Sequence, residues 1–164
     1  MSARPATACV ETPVGMVELV AGNSVLISAR IGAPGGIGRH DADHHLLNEA
    51  IAQIVAWFAG QRREFTLPLE PAKTLEAAQL RAAIASVPYG DTSTYGALAN
   101  RAGSVARAIG QACKTNPFPI IIPCHRIVSA SGPEYYSGGK GPETKAWLID
   151  FEADHSHGIR TRLI

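Results

Sequence analysis

The run Pro119-Ile120-Ile121-Ile122-Pro123-Cys124-His125-Arg126-Ile127-Val128 constrains this chain more than any other stretch. Three consecutive isoleucines suit a short buried strand and are too few for a helix. Pro123 has no N–H to give a sheet ladder, so the strand is expected to end there and the chain to turn. Cys124 then stands at the end of a buried element, with an imidazole beside it and a guanidinium beyond. The thiolate is the reactive form of cysteine, and electropositive surroundings lower the thiol pKa from a free value of about 8.5. A nucleophilic cysteine also needs a base within hydrogen-bond reach and a third group to orient that base. Neighbours in an extended segment point to opposite sides, so Cys124 and His125 can cooperate only if the chain turns at Pro123-Cys124. A cysteine beside a strand is more often just a small buried hydrophobe. Pro-Cys-His-Arg behind an aliphatic run is much less ordinary.

The 164 residues suffice for one or two small domains with a real core. With 46% hydrophobic and 18% charged residues, the composition is that of a soluble globular protein. No apolar run approaches the roughly 20 residues that span a bilayer, and the start Met1-Ser2-Ala3-Arg4-Pro5 lacks the apolar core of a secretory signal. Cys9, Cys113 and Cys124 are an odd set without C-x-x-C spacing, which favours a reducing cytoplasm over a disulfide framework. His40, His44 and His45, among Asp41 and Asp43, read as a solvated loop and lack the spacing of a tetrahedral metal site. A net charge of +1 argues against indiscriminate binding to polyanions. The charge is uneven, however. Residues 1–80 hold six basic and eight acidic side chains, and residues 81–164 hold nine and six. Cys124 thus lies in the basic half, which suits a substrate held on a phosphate backbone.

Along the chain, Met16–Val20 and Val25–Arg30 read as a strand hairpin, between turn signals at Thr12-Pro13-Val14-Gly15 and Gly22-Asn23. Gly32–Gly38 is rich in glycine and proline but has neither a phosphate-loop nor a dinucleotide pattern, so it is a flexible connection. Leu47, Ala50, Ile51, Ile54, Val55 and Phe58 recur at helical spacing, with Asp43 as N-cap and Gly60 as stop. Phe65–Leu69 returns as a short strand. Leu75 to Val87 is a second helix, with Leu75, Leu80, Ala83, Ile84 and Val87 on its apolar face. Thr94–Ala99 opens a third, a turn follows at Gly103, and Ser104 caps a helix through Val105-Ala106-Arg107-Ala108-Ile109-Gly110. Two short helices about a glycine turn make a helix-turn-helix pattern. The small residues Ala106, Ala108 and Gly110 would let its second helix approach DNA closely while Arg107 reaches inward. A last helix spans Glu143–Glu152, burying Trp147, Leu148 and Phe151, and the tail from Asp154 is expected to be loose.

The Pro-Cys-His-Arg segment, with Pro88-Tyr89-Gly90 through Tyr95-Gly96 upstream and Trp57-Phe58-Ala59-Gly60 in the first half, resembles the O6-alkylguanine-DNA alkyltransferases. These are suicidal methylated-DNA–protein-cysteine methyltransferases that take an alkyl group onto their own cysteine. The resemblance covers nearly the whole chain and is strongest from Val87 to Glu152. It implies an α+β fold: a small β-rich, ribonuclease-H-like domain over 1–72 as scaffold, and a mainly helical domain with a helix-turn-helix over 73–164. It also implies that the protein acts on double-stranded DNA carrying O6-alkylguanine, as a monomer in the cytoplasm at the nucleoid, without cofactor, metal or membrane.

Residue by residue, the resemblance makes Cys124 the alkyl acceptor, His125 its base through a water, Glu152 the carboxylate that orients the base, and Asn116 the brace of the turn. Tyr95 and Ser137 would stabilise the leaving guanine, and Tyr136 would line the pocket wall along with Cys113 and Val128. Arg107 would enter the minor groove and fill the gap left by the flipped nucleotide, supported at the DNA by Ser104, Ala106, Ala108 and Lys114. Arg126 braces. The chain departs from the family pattern at Arg81, where a tryptophan is usual, at Glu134 in the pocket loop, and by a slightly long Lys140-Gly141-Pro142 segment. Two other classes fit parts of the sequence. A non-enzymatic damage-binding relative would flip the base without transfer, but it would carry another residue in place of Cys124. A group-transfer protein for a small molecule would keep the cysteine chemistry and lose DNA.

Overall fold

The computed structural model describes residues 5–32, 41, 43–130, 136 and 138–163, with side chains as far as residue 156. The chain divides into two compact units, Met1–Glu70 and Pro71–Ile164. The first holds a small sheet and a helix, the second is mainly helical, and together they make an α+β protein.

In the first unit β1 (Ala6–Thr12), β2 (Gly15–Ala21) and β3 (Leu26–Ile31) form an antiparallel meander. The expected hairpin is therefore β2–β3, and β1 adds a third strand beyond it. Register places Ala8 opposite Leu19, Val10 opposite Val17, and Leu19 opposite Ala29, so one face carries the buried apolar set. Helix α1 (His45–Phe58) covers that face with Leu47, Ala50, Ile54 and Trp57.

The apolar stripe is rotated from the expected one. Val55 is 53% exposed, while Gln53 is buried and satisfies its amide on Thr66, taking the backbone N–H at 2.9 Å and donating to Oγ1 at 3.1 Å. The N-cap is His44 rather than Asp43: its Nδ1 accepts from Leu47 N, and Nε2 bonds Gly22 O at 3.1 Å. His44 and His45 thus belong to a helix start and not a solvated loop, while His40 lies outside the described residues. Gly60 closes the helix at φ 75°, bonding Trp57 O. Phe65–Leu69 is not a strand of the sheet. Leu69 makes one bridge to Leu26, where Leu26 N–H donates to Pro68 O and Glu70 N–H to Leu26 O. With Pro68 lacking an N–H, the pairing does not extend. Of the glycine-rich connection, residues 33–38 lie outside the described residues.

In the second unit α2 (Leu75–Ala85) starts at a Thr74 cap and ends two residues short of Val87, which is buried in the turn that follows. Leu75, expected on the apolar face, is 76% exposed because it occupies the first turn, beyond the contacts of Leu80 and Ile84. Helices α3 (Tyr95–Ala102) and α4 (Ala106–Lys114) form the helix-turn-helix, and α2 packs on both. Thr94 Oγ1 accepts from Ala97 N at 3.1 Å to cap α3, and Gly103 ends it in the left-handed region at φ 66°. Ser104 does not cap α4. Val105 holds that position without a side-chain bond, and its carbonyl takes the Ala108 N–H at 3.0 Å.

The isoleucine run is not a strand. Residues 119–122 are turns, with Ile122 N–H donating to Phe118 O at 2.8 Å, and Cys124–Arg126 is a single turn of 3-10 helix. The strand comes afterwards: β5 (Ile127–Val128) pairs in parallel with β4 (Ser93–Thr94), tying the entrance of α3 to the exit of the cysteine turn. Helix α5 (Pro142–Leu163) continues well past Glu152, so the backbone expected to be loose is helical. Leu148 is fully buried, whereas Trp147 and Phe151 are half-buried and stack on each other with centroids 5.1 Å apart.

Because Thr94 both caps α3 and pairs with Val128, Thr94→Ala is expected to lower stability by about 1 kcal/mol. Urea denaturation should show this as a lower midpoint at unchanged slope.

Candidate active site

The turn that carries Cys124 is built around one side chain. Asn116, just after α4, accepts from Phe118 N–H at 2.9 Å and donates through Nδ2 to Ile122 O at 3.0 Å and to Cys124 Sγ at 3.2 Å. The amide therefore supplies the bonds that a sheet partner would have supplied, between Pro119 and Pro123, which cannot donate. The turn is strained. Ile120 has φ 75°, the one positive φ outside glycine among the described residues, and a β-branched side chain is costly there. Burial of Ile120 and Ile122 on the core side holds the geometry.

Cys124 is 2% exposed and His125, next in the same 3-10 turn, is 0% exposed. His125 Nε2–H donates to Glu152 Oε2 at 2.7 Å. Arg126 grips the same carboxylate with both ends of its fork, Nε to Oε1 and Nη2 to Oε2, each at 2.8 Å. Its Nη1 donates to Val87 O at 2.8 Å, and Gly90 N–H reaches Oε1 at 3.3 Å. Bidentate, charge-assisted bonds are the strong class. With Nε2–H committed to Glu152, the imidazole carries its lone pair on Nδ1, the arrangement a general base requires.

Burial would raise the Glu152 carboxyl, but the hydrogen bonds from His125 and Arg126 outweigh it and hold the pKa at about 2. Burial lowers His125, and the bond to Glu152 only partly opposes that, so the ring is neutral in the resting protein. Burial pushes the Cys124 thiol up, against the Asn116 bond and the positive charge of Lys145. The resting pair is thus a thiol beside a neutral imidazole, not a preformed ion pair.

Lys145 does not stand out in the sequence, yet it belongs to this site. It is 1% exposed, donates from Nζ to Ile127 O at 2.6 Å and lies 5.7 Å from the centre of the Tyr95 ring. Arg126 and Lys145 against Glu152 leave this buried cluster with one excess positive charge, suited to a thiolate forming at Cys124. A signal for it exists: Lys145, Leu148 and Glu152 fall three and four residues apart, on the one stripe of α5 that faces the core.

The structure brings Asn116, Cys124, His125, Arg126, Lys145 and Glu152 into one cluster. Tyr95, half-buried, begins α3 beside it, and Val128 follows on β5, opposite Thr94. Tyr136 is buried, and burial first, with the Glu152 charge and any charge on Cys124 adding to it, holds its phenol well above the ordinary range. Cys113 lies on the inner face of α4, where burial first and the Cys124 charge second push its thiol up to about 12. It stays protonated and inert at neutral pH. Ser137 and Glu134 lie outside the described residues. Arg107, Ala106 and Lys114 are exposed on α4, apart from the buried cluster, with Val105 64% exposed and Ser104 and Ala108 half-buried. Arg81, in the place of the expected tryptophan, lies 5.5 Å from the Phe118 ring centre and borders a cleft of about 70 Å³ with Ala77, Ala112 and Asn116.

Two family models match the chain. The 6-O-methylguanine DNA methyltransferase ribonuclease-like domain matches residues 7–71, and the DNA binding domain of the same family matches residues 77–154. This chain belongs to the 6-O-methylguanine DNA methyltransferase family. It is 33% identical over 159 residues to the methylated-DNA–protein-cysteine methyltransferase of Mycobacterium leprae, covering 93% of each chain. A crystal structure of Mycobacterium tuberculosis OGT in complex with DNA superposes with a TM-score of 0.77 at 33% identity, covering 91% of this chain and 93% of that one. A variant of the Mycobacterium tuberculosis O6-methylguanine methyltransferase gives a TM-score of 0.80 at 30% identity, with 93% and 95% covered. Among the described residues, no helix is long and apolar enough to cross a membrane.

Two outcomes follow from the buried carboxylate. The unfolded chain binds protons that the native Glu152 and His125 refuse, so stability falls as pH falls. The loss should begin near the ordinary histidine value of 6.5, steepen below the ordinary glutamate value of 4.5 and be complete near 2. Denaturant midpoints across that range check it. Glu152→Gln, which leaves Arg126 buried without its counter-ion, should cost roughly 3 kcal/mol at neutral pH and flatten the acid limb.

Proposed function

We propose that this protein removes the alkyl group from O6-alkylguanine in double-stranded DNA by transferring it to its own Cys124, once per molecule. The observation that carries the reading is the Cys124 thiol held by Asn116 beside His125, whose ring is set by the 2.7 Å bond to Glu152. His125 takes the thiol proton at Nδ1 through a bridging water, and the resulting thiolate is stabilised by Lys145. Sulfur then attacks the alkyl carbon in line with the bond to O6. A C–S bond forms, the C–O bond breaks, and the guanine leaves with the electron pair and collects a proton. Tyr95 and Ser137 supply hydrogen bonds to the leaving base. A thioether is not undone by thiol exchange, so the protein is spent.

The alkyl carbon is out of reach inside a base stack, so the nucleotide must be extruded. The exposed face of α4 suits that extrusion. Ala106 and Ala108 permit close approach, Arg107 projects from the first turn to occupy the vacated space, and Lys114 and Ser104 hold the backbone. Residues 1–72 act as scaffold and residues 73–164 carry DNA binding and transfer. A reducing cytoplasm keeps Cys124 a thiol, and one monomer holds the whole site.

The test is intact-protein mass spectrometry after incubation with a duplex carrying O6-methylguanine, beside a Cys124→Ser control. The expected result is a stoichiometric gain of one methyl on Cys124, absent in the control. Retention of the duplex without a mass gain would favour damage binding alone, and neither transfer nor retention would point to a small-molecule substrate. A second outcome concerns the helix-turn-helix. Arg107→Ala should slow transfer from the duplex at least about tenfold, while transfer from the free base O6-benzylguanine stays near the unsubstituted rate. Single-turnover kinetics on both substrates compare the two.

A further inference from the structure

The turn that carries Cys124 leans on one aromatic ring. Phe118 is fully buried, and its backbone is bonded to both ends of the turn. Its N–H donates to Asn116 Oδ1 at 2.9 Å, and its carbonyl takes the Ile122 N–H at 2.8 Å. The same Asn116 side chain reaches Ile122 O at 3.0 Å and Cys124 Sγ at 3.2 Å. A shift of Phe118 therefore moves the amide that holds the nucleophile. There is room for such a shift. Asn116 and Ile122 line a cleft of about 70 Å³ together with the small side chains Ala77 of α2 and Ala112 of α4. Arg81, one helical turn beyond Ala77, borders the same cleft and sets its guanidinium carbon 5.5 Å from the centre of the Phe118 ring. That is the range of a cation–π attraction, which strengthens where the ring is out of water.

We infer that Arg81 is a positioning residue for Cys124: its guanidinium pins the Phe118 ring and, through the Phe118 backbone, the Asn116 bonds to the turn and to Sγ. This deepens the reading above, since it rests on Cys124 as the nucleophile. Arg81 acts through Phe118 and Asn116 and not on the reacting atoms. The turn is strained, with Ile120 at φ 75°, so once the cation is removed it has both a reason to relax and a cleft to relax into. Relaxation weakens the Asn116 bond to sulfur. That bond favours the thiolate, so weakening it pushes the Cys124 thiol further up.

Arg81→Met, of similar length and without the charge, tests this in the resting protein. Amide hydrogen exchange followed by NMR reads the N–H groups of Phe118 and Ile122, whose bonds are those of the turn. Both should exchange about fivefold faster, the range for one cation–π contact on a buried ring. Thiolate ultraviolet absorbance against pH, with the Cys124→Ser protein subtracted to remove Cys9 and Cys113, should show a higher apparent Cys124 pKa and about threefold less thiolate at neutral pH. Arg81→Lys keeps the cation without the planar face and should recover part of each change. Thr74→Ala is the control. Thr74 Oγ1 caps α2 by accepting from Ala77 N–H at 3.0 Å, so its loss weakens the same helix while the contact to Phe118 remains. Both readings should stay near those of the unsubstituted protein. No change in Arg81→Met, the same change in Thr74→Ala, or Arg81→Lys no better than Arg81→Met would each overturn the inference and leave Arg81 without a part in holding the turn. Neither reading uses DNA, so the predicted shifts alongside failure to repair methylated duplex would retain this role and reject only the DNA substrate.

Discussion

The carboxylate of Glu152 is the group on which the second unit of this protein depends. It is buried on α5, yet it stays ionised because two cationic or polar side chains from one 3-10 turn and the N–H of Gly90 converge on it. The same guanidinium that chelates it reaches back to Val87 O beyond the end of α2 and lies 5.5 Å from the centre of the Tyr89 ring. One ion pair therefore fixes α5, the cysteine turn and the loop that leads into the helix-turn-helix. Such a pair contributes little net stability over an apolar replacement, but it is expensive to break. Its value here is positional: it sets the orientation and protonation of His125.

The second constraint is steric. Between Pro119 and Pro123 the chain has too few N–H donors for a ladder, so it curls, and Asn116 stands in for the missing strand. The curl accepts Ile120 in the left-handed region and puts Cys124 and His125 on one short turn, where an extended segment would have divided them. Strain beside a nucleophile is the kind of local cost that a well-packed surround can hold.

Much of this was legible in the sequence, for identifiable reasons. Pro-Cys-His-Arg, the helix-turn-helix about Gly103 and the apolar spacing of α1 announced the class of fold, and the family resemblance picked out Asn116 and Glu152 in advance. The errors were places where a local rule met a tertiary one. Three isoleucines favour a strand, but the prolines on either side removed the partners. Asp43 is the better cap by type, yet His44 was the residue with its ring in reach of Leu47 N. Val55 belonged to the stripe by period, while Gln53 replaced it by finding Thr66. A charged residue on a helix is ordinarily solvated, so Lys145 is unmarked by type, and the fold shows that its face of α5 is the inner one. For Arg126 the bracing that the resemblance implies takes the form of a fork on Glu152.

The chemistry of the site turns on one property: burial keeps His125 neutral, and the bond to Glu152 holds its proton on Nε2 and leaves its lone pair on Nδ1. Nitrogen NMR of the His125 imidazole in the resting protein measures this directly. A neutral ring protonated at Nε2 across neutral pH, still neutral but with that tautomer weakened in Glu152→Gln, is the predicted result. An imidazolium, or a neutral ring protonated at Nδ1, would contradict it, because His125 would then have no lone pair to offer the Cys124 proton.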